Sequence, residues 1–245
     1  MKVYLDNNVL VDIEDGRYSL SDFLLVQNIE YYYSDAHLSE LLEAVDNPRV
    51  SQEGRLELIS EICGDNNILT GVFGPPEIFH KYPAEMYKFV DTHLRRSINK
   101  IVSNGGDVFD RVRHLLGFDS KNFNNEKPEE VLRILDNRMS EKLQIGLLQY
   151  LSDSEAFPGK PLFCTLLNIL DAANYWGDTK TNHSDIARLN DASHAYYAQI
   201  CDVLVTNDKR MIAKVKAIYS FLGINTKVLS VKEFLKTIGG HNVKI

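Results

Sequence analysis

Four acidic residues carry the strongest chemical signal in this sequence. Asp6 closes the short apolar run Val3, Tyr4 and Leu5, and Asp208 follows Val203 to Thr206 after a single asparagine. A short continuous apolar run ended by polar turn formers reads as a strand buried on both faces of a parallel sheet. In open sheets of that kind, ligands bind just outside the carboxyl ends of the strands. Two such strands in parallel put both carboxylates at one edge. Glu40 and Asp191 fall on helical stretches instead, each within a line of small residues. Ala36, Glu40 and Ala44 are spaced i, i+4, i+8, while Ala187, Asp191, Ala195 and Ala198 share a face. Small side chains let a helix approach its neighbour, so these two acids are expected to be drawn inward.

Each acid has an ordinary reading when taken singly. Asp6 can cap the helix that follows it. Glu40 and Asp191 can be ion-pair partners, and Arg188 lies three residues from Asp191. Taken together they suggest more. Buried carboxylates are costly unless paired or bound to a metal, and they raise one another's pKa values. Carboxylate oxygens are the donors that Mg²⁺ and Mn²⁺ prefer. Two such ions activate water and stabilise the leaving oxygen in phosphodiester cleavage.

The elements that must position these residues alternate at both ends of the chain. After the first strand, the sequence predicts a helical turn at Val9–Ile13, a short helix at Ser19–Asn28 and a strand at Tyr31–Tyr33. A helix capped by Ser34 runs to Val45, a second spans Ser51–Cys63, and a strand covers Ile68–Val72. From about 75 to 180 helical periodicity takes over, at Pro83–Val102, Asp107–Leu116, Pro128–Leu151 with a break near Asn137, and Pro161–Trp176. Strand–helix alternation then returns. A helix capped by Ser184 runs to Gln199, a strand covers Val203–Thr206, a helix Lys209–Leu222 and a strand Thr226–Leu229. A last helix, capped by Ser230, runs to Lys236. Such alternation implies a mostly parallel sheet with helices on both faces. Trp176 reads as a packing residue.

The chain has 245 residues, three widely spaced cysteines (Cys63, Cys164 and Cys201) and a formal net charge of −7. The cysteines give neither a disulfide framework nor a zinc spacing, so a reducing cytoplasm is the expected compartment. No apolar run reaches membrane-spanning length and no signal-peptide pattern opens the chain. The acidic balance argues against broad nonspecific nucleic-acid binding. It is compatible with an enzyme whose carboxylates gather around metal ions.

Three stretches resemble the PIN-domain nucleases: YLDNNVLVDI at 4–13, SDAHLSELLEA at 34–44 and NDASHAYYAQICDVLVTNDKRM at 190–211. The resemblance implies a three-layer α/β/α sandwich with a central, mostly parallel sheet. It covers 1–74 and 181–245 as the core; the all-helical region read at 75–180 is an insertion that departs from the family pattern and separates Glu40 from Asp191 further than usual. It further implies a metal-dependent endoribonuclease that hydrolyses single-stranded RNA, leaving a 5′-phosphate and a 3′-hydroxyl. Asp6, Glu40, Asp191 and Asp208 would be both the catalytic residues and the ligands of one or two Mg²⁺ or Mn²⁺ ions.

Other residues are weighed beside these. Asn8 and Thr206 are placed either to hydrogen-bond the acid cluster, as similar positions do in that family, or to serve turn and strand-end chemistry. Asp202 either supports the cluster or caps the strand it precedes. Lys209 and Arg210 either meet phosphate oxygens or form a solvated helix start, and the basic run HLRRSINK at 93–100 is open in the same way. His37 and His194 stand three residues from Glu40 and Asp191, but a di-iron bundle reading leaves the strand-end aspartates unexplained. Expected partners are RNA ahead of DNA, a protein such as the antitoxin of a toxin pair, and a second copy of the chain, with no membrane. Two alternatives are carried forward. One is a structure-specific DNA nuclease, for which Asp202 and Glu43 would be extra acids; the other is a catalytically silent interaction module of the same fold.

Overall fold

A computed structural model of the chain describes residues 1–25, 27–70, 75–90, 123–147, 149, 159–177 and 182–239. Six strands form one sheet: β1 (Lys2–Leu5), β2 (Glu30–Ser34), β3 (Asn66–Thr70), β4 (Pro76–His80), β5 (Val203–Val205) and β6 (Lys227–Leu229). Their order is β4-β3-β2-β1-β5-β6. Every pairing is parallel except β3 with β4. β1 is therefore central, with Val3 opposite Tyr31 on one side and Val203 on the other. The strand order reverses direction between β1 and β5, and a crevice at such a switch point is where doubly wound sheets bind ligands.

Strand alternation sorts the side chains onto two buried faces. Val3, Leu5, Tyr31, Tyr33, Val203 and Val205 share one apolar cluster with residues of α1 (Asn7–Glu14), α2 (Ser21–Leu24), α4 (Gln52–Cys63) and α10 (Val231–Gly239). Tyr4, Tyr32, Ile68, Leu204 and Val228 point the other way. They pack with α6 (Pro128–Leu143), α7 (Lys160–Ala172), α8 (Asn182–Ala198) and α9 (Lys209–Leu222). The chain is thus α/β, with a mixed, mostly parallel sheet buried on both faces. Among the described residues, no helix is long and apolar enough to cross a membrane, and no disulfide joins the three cysteines.

Capping chemistry sets the helix starts near the sheet edge. Ser34 ends β2 and caps α3 (Asp35–Glu43), accepting from Ala36 N–H, while His37 Nδ1 accepts from Ser34 N–H. Asp208 caps α9, and Gly223, at φ +69°, ends that helix in the left-handed conformation that glycine adopts at least cost.

The stretch 75–180 departs from its expectation of helices alone. Pro76–His80 forms β4, an antiparallel edge strand on β3. Its alternation of exposed and covered residues is strand-like, but the prolines at 75 and 76 made it look like a turn. The helix expected from Pro83 ends as α5 (Pro83–Tyr87), while the helix expected at 107–116 and the basic run at 93–100 lie outside the described residues. α6 runs through Asn137 without a break. α8 begins at Asn182, so Ser184 lies inside the helix rather than capping it. The helices α6 and α7 bury Leu135, Leu166 and Leu170 completely, in the same cluster as Tyr4 and Leu204. That part of the stretch therefore supplies half of the layer over one sheet face.

Candidate functional site

Asp6 follows β1, is 5% exposed, and caps α1 by accepting from Asn7 N–H at 2.8 Å. Its other oxygen accepts from Thr206 Oγ1 at 2.7 Å and from Asn8 Nδ2. Thr206 also accepts from Asn8 Nδ2 at 2.9 Å and from Asp208 N–H at 3.2 Å. Asn8 Oδ1 accepts from Asn207 N–H at 3.1 Å. A small hydrogen-bonded web therefore ties the end of β1 to the loop after β5. Asp208 itself is exposed; its Oδ1 accepts from Arg210 N–H at 2.7 Å and Met211 N–H at 3.1 Å.

Glu40 reaches this web through His194. The Nε2 of His194 stands 2.9 Å from Glu40 Oε1 and 3.7 Å from Asp6 Oδ1, and the His194 side chain is 1% exposed. The other oxygen of Glu40 accepts from Asn7 Nδ2. Asn7 in turn accepts from Arg55 Nη1 at 2.8 Å, and Arg55, 4% exposed, pairs with Glu14. Beneath the carboxylates the Tyr4 hydroxyl lies 2.9 Å from His194 Nδ1 and 2.6 Å from Ser34 Oγ. His37 Nδ1 accepts from Ser34, so its Nε2 donates to the Leu5 carbonyl at 2.7 Å.

Charge follows from these contacts. Burial pushes Asp6 above the usual carboxylate range and Glu40 adds to the push, although His194 pulls the other way. Burial also works to raise Glu40, but the charge and hydrogen bond of His194, with a hydrogen bond from Asn7, outweigh it and hold Glu40 low. For His194 burial is the adverse influence, and Glu40 and Asp6 overcome it to hold the imidazole above its ordinary value. His37, buried beside that cation, is pushed down to about 3 and is neutral. Asp191 is raised from 3.8 to about 8 by burial, then by the charges of Asp6, Asp208 and Glu40, against the opposing charge of Lys214. Asp191 is thus within electrostatic reach of the other three acids, and Asp6 of Glu40. They come from α3, α8 and the carboxyl ends of β1 and β5, at the switch point of the sheet.

Several residues fall where the sequence pointed, and some do not. Asn8 and Thr206 hydrogen-bond Asp6. Asp202 does not join them: it precedes β5, at the opposite edge of the sheet, where Oδ2 accepts from Lys2 N–H at 2.7 Å. Its capping role is the one the structure assigns. Lys209 and Arg210 are exposed at the start of α9, beside Asp208. Glu43, also exposed, accepts from Asn190 at 3.3 Å. Arg188 turns to Asp171, with Nε 2.7 Å from Oδ2. Trp176 packs against the apolar cluster as expected. Asn7, Arg55, Tyr4 and the engagement of His194 with Glu40 were not foreseen. The one signal for them was the i, i+3 spacing of His194 from Asp191.

The donors gathered here are hard oxygens, and Asp191, raised to about 8 by burial and then by the neighbouring carboxylates, marks a site short of positive charge. That chemistry suits Mg²⁺ or Mn²⁺. As the side chains stand, no three His, Cys, Asp or Glu among the described residues form a group ready to hold a metal ion. No family model, no curated protein and no solved structure matches the chain.

Proposed function

We propose that this chain is a PIN-like, Mg²⁺- or Mn²⁺-dependent endonuclease of single-stranded RNA, with Asp6, Glu40, Asp191 and Asp208 as the residues that hold the ion. The observation that carries this reading is the convergence of the four acids at the sheet's switch point, from the ends of β1 and β5 and from α3 and α8; burial and the charges of the other three raise Asp191 to about 8 there. A bound divalent ion supplies Lewis-acid activation of water and charge stabilisation of the leaving oxygen. The chain's own residues supply the rest. Asp191 would hold the ion as a carboxylate, with its proton released to water. Thr206 and Asn8 hold one oxygen of Asp6 and leave the carboxylate fixed in direction. His194 and Asn7 fix both oxygens of Glu40. Lys209 and Arg210, exposed beside Asp208, are placed to meet phosphate oxygens.

One observation favours the second reading, a silent interaction module. Glu40 is engaged by His194 and Asn7, and no ready-made cage of three ligands stands among the described residues. Cleavage of single-stranded RNA by purified protein, with Mn²⁺ and with EDTA, separates the two. Metal-dependent cleavage that is lost in both Asp6→Asn and Asp208→Asn supports the nuclease. Absence of cleavage of RNA and of DNA in either metal moves the module ahead, and cleavage of structured DNA alone selects the DNA nuclease.

A further inference from the structure

Asp171 lies in the last turn of α7, within the stretch that separates Glu40 from Asp191 in sequence. A carboxylate there meets the negative end of the helix dipole, so its position needs a compensating cause. Two cations provide it. Arg188 Nε of α8 stands 2.7 Å from Asp171 Oδ2, and Lys214 Nζ of α9 stands 2.6 Å from Oδ1. The three side chains are 11%, 11% and 3% exposed for Asp171, Arg188 and Lys214. Arg188 also donates to Asn168 Oδ1 of α7 at 3.1 Å.

A buried ionic group of this kind is a poor source of stability, since desolvation offsets most of the attraction. Its better-attested use is to select one arrangement of the elements it joins. The elements joined here matter to the site. α8 carries Asp191 one helical turn from Arg188, and α9 begins at its cap, Asp208. We propose that Asp171 is a positioning residue of the acid site: by pairing with Arg188 and Lys214 it fixes α8 against α9, and so fixes Asp191 against Asp208. The stretch between the two halves of the core is then a working part of the site. This inference rests on the divalent-ion reading above.

Calorimetric titration with Mn²⁺, without RNA, tests it on wild type and four variants, each checked for fold by circular dichroism. Wild type binds Mn²⁺ and Asp191→Asn loses it. Asp171→Asn weakens binding by about tenfold or more, within the range for residues that orient metal ligands, and Asp171→Glu recovers most of the loss. Arg188→Gln gives the sharper answer, because it removes a cation one turn from Asp191 and leaves Lys214 facing Asp171 one to one. If Arg188 acted only through its charge, its removal would tighten binding of a divalent cation; as part of a clamp, its removal weakens binding. Unchanged or tighter binding in Arg188→Gln, with Asp191→Asn still inactive in binding, overturns the clamp and leaves the ion site standing. No Mn²⁺ binding by wild type overturns the ion site and the clamp with it. Should Asp171→Asn fail to fold, Arg188→Gln decides.

Discussion

His194 and Glu40 are 154 positions apart in the chain, yet they meet at 2.9 Å with the imidazole almost wholly buried. The contact joins α8 to α3 directly above β1, and it gives Glu40 a cation that no residue of its own helix provides. His194→Ala leaves the Glu40 carboxylate enclosed and unpaired. Loss of one partner from a buried pair costs several kcal/mol, so the metal-free variant should lose about 3 kcal/mol in urea unfolding. Mn²⁺ should restore part of that loss. A change below about 0.5 kcal/mol would mean that Glu40 draws its low pKa from elsewhere.

The stability of the metal-free protein should fall as pH rises from about 6.5 to about 8.5, above the range in which His37, pushed down to about 3, gives an opposing slope. Asp191 is raised from 3.8 to about 8 in the folded chain, so folding favours its protonated form. That contribution is fully present below the ordinary carboxylate value and is lost as pH climbs through about 8. His194, also held up in the folded state, works in the same direction. Thermal midpoints in EDTA across this range should therefore slope downward, and Asp191→Asn should flatten the slope. A wild-type protein with a level profile would contradict the charge balance described for the site.

The capping role of Asp208 is separable from the role proposed for it in cleavage. Its Oδ1 caps α9, and asparagine caps helices about as well as aspartate. Asp208→Asn should leave the unfolding midpoint nearly unchanged while lowering RNA cleavage by about tenfold or more, equivalent to ~1.4 kcal/mol of barrier. Asp208→Ala should lose cleavage and also about 1 kcal/mol of stability. Equal cleavage by wild type and Asp208→Asn would remove Asp208 from the reaction.

Thr206 and Asp202 flank the same strand but should behave oppositely. Thr206→Val removes the hydroxyl that donates to Asp6 and accepts from Asp208 and Asn8. It should cost about 1–3 kcal/mol, since buried partners are left unsatisfied, and slow cleavage as well. Asp202→Asn changes only an exposed strand-end contact with Lys2 and should leave cleavage rates intact. Parallel kinetics on the two variants check the contrast; slowing in Asp202→Asn would place that carboxylate nearer the reaction than its edge of the sheet allows.

What the sequence revealed of this site depended on how far each signal reaches along the chain. Asp6 and Asp208 were legible because a strand end is local: an apolar run, then a polar turn. The same rule properly applied excludes Asp202, which stands before its strand and hence at the other edge. Ala36, Ala195 and Ala198, all buried, explain why Glu40 and Asp191 could be expected to turn inward. The partners of those acids could not be read. Arg55 reaches Asn7 across 48 positions and His194 reaches Glu40 across 154, and no spacing rule spans such separations. The strand at Pro76–His80 was missed because its prolines argue against a ladder position. An antiparallel edge accepts them, since an edge strand leaves one row of backbone groups unpaired in any case.

The place of β1 between β2 and β5 also has a consequence for how the protein comes into being. Its two neighbours are made far apart in time: β2 ends at Ser34, whereas β5 starts at Val203. At ribosomal speeds of roughly 5–20 residues per second, the emerging chain carries Asp6 and Glu40 for about ten seconds or longer before Thr206 and Asp208 exist. Throughout that interval β1 has an open edge, a template for stray strand pairing, and the acid site is half built. A chain cut short before Val203 has neither its central strand covered nor its carboxylates assembled, so unfinished copies lack the acid site as well as a closed sheet.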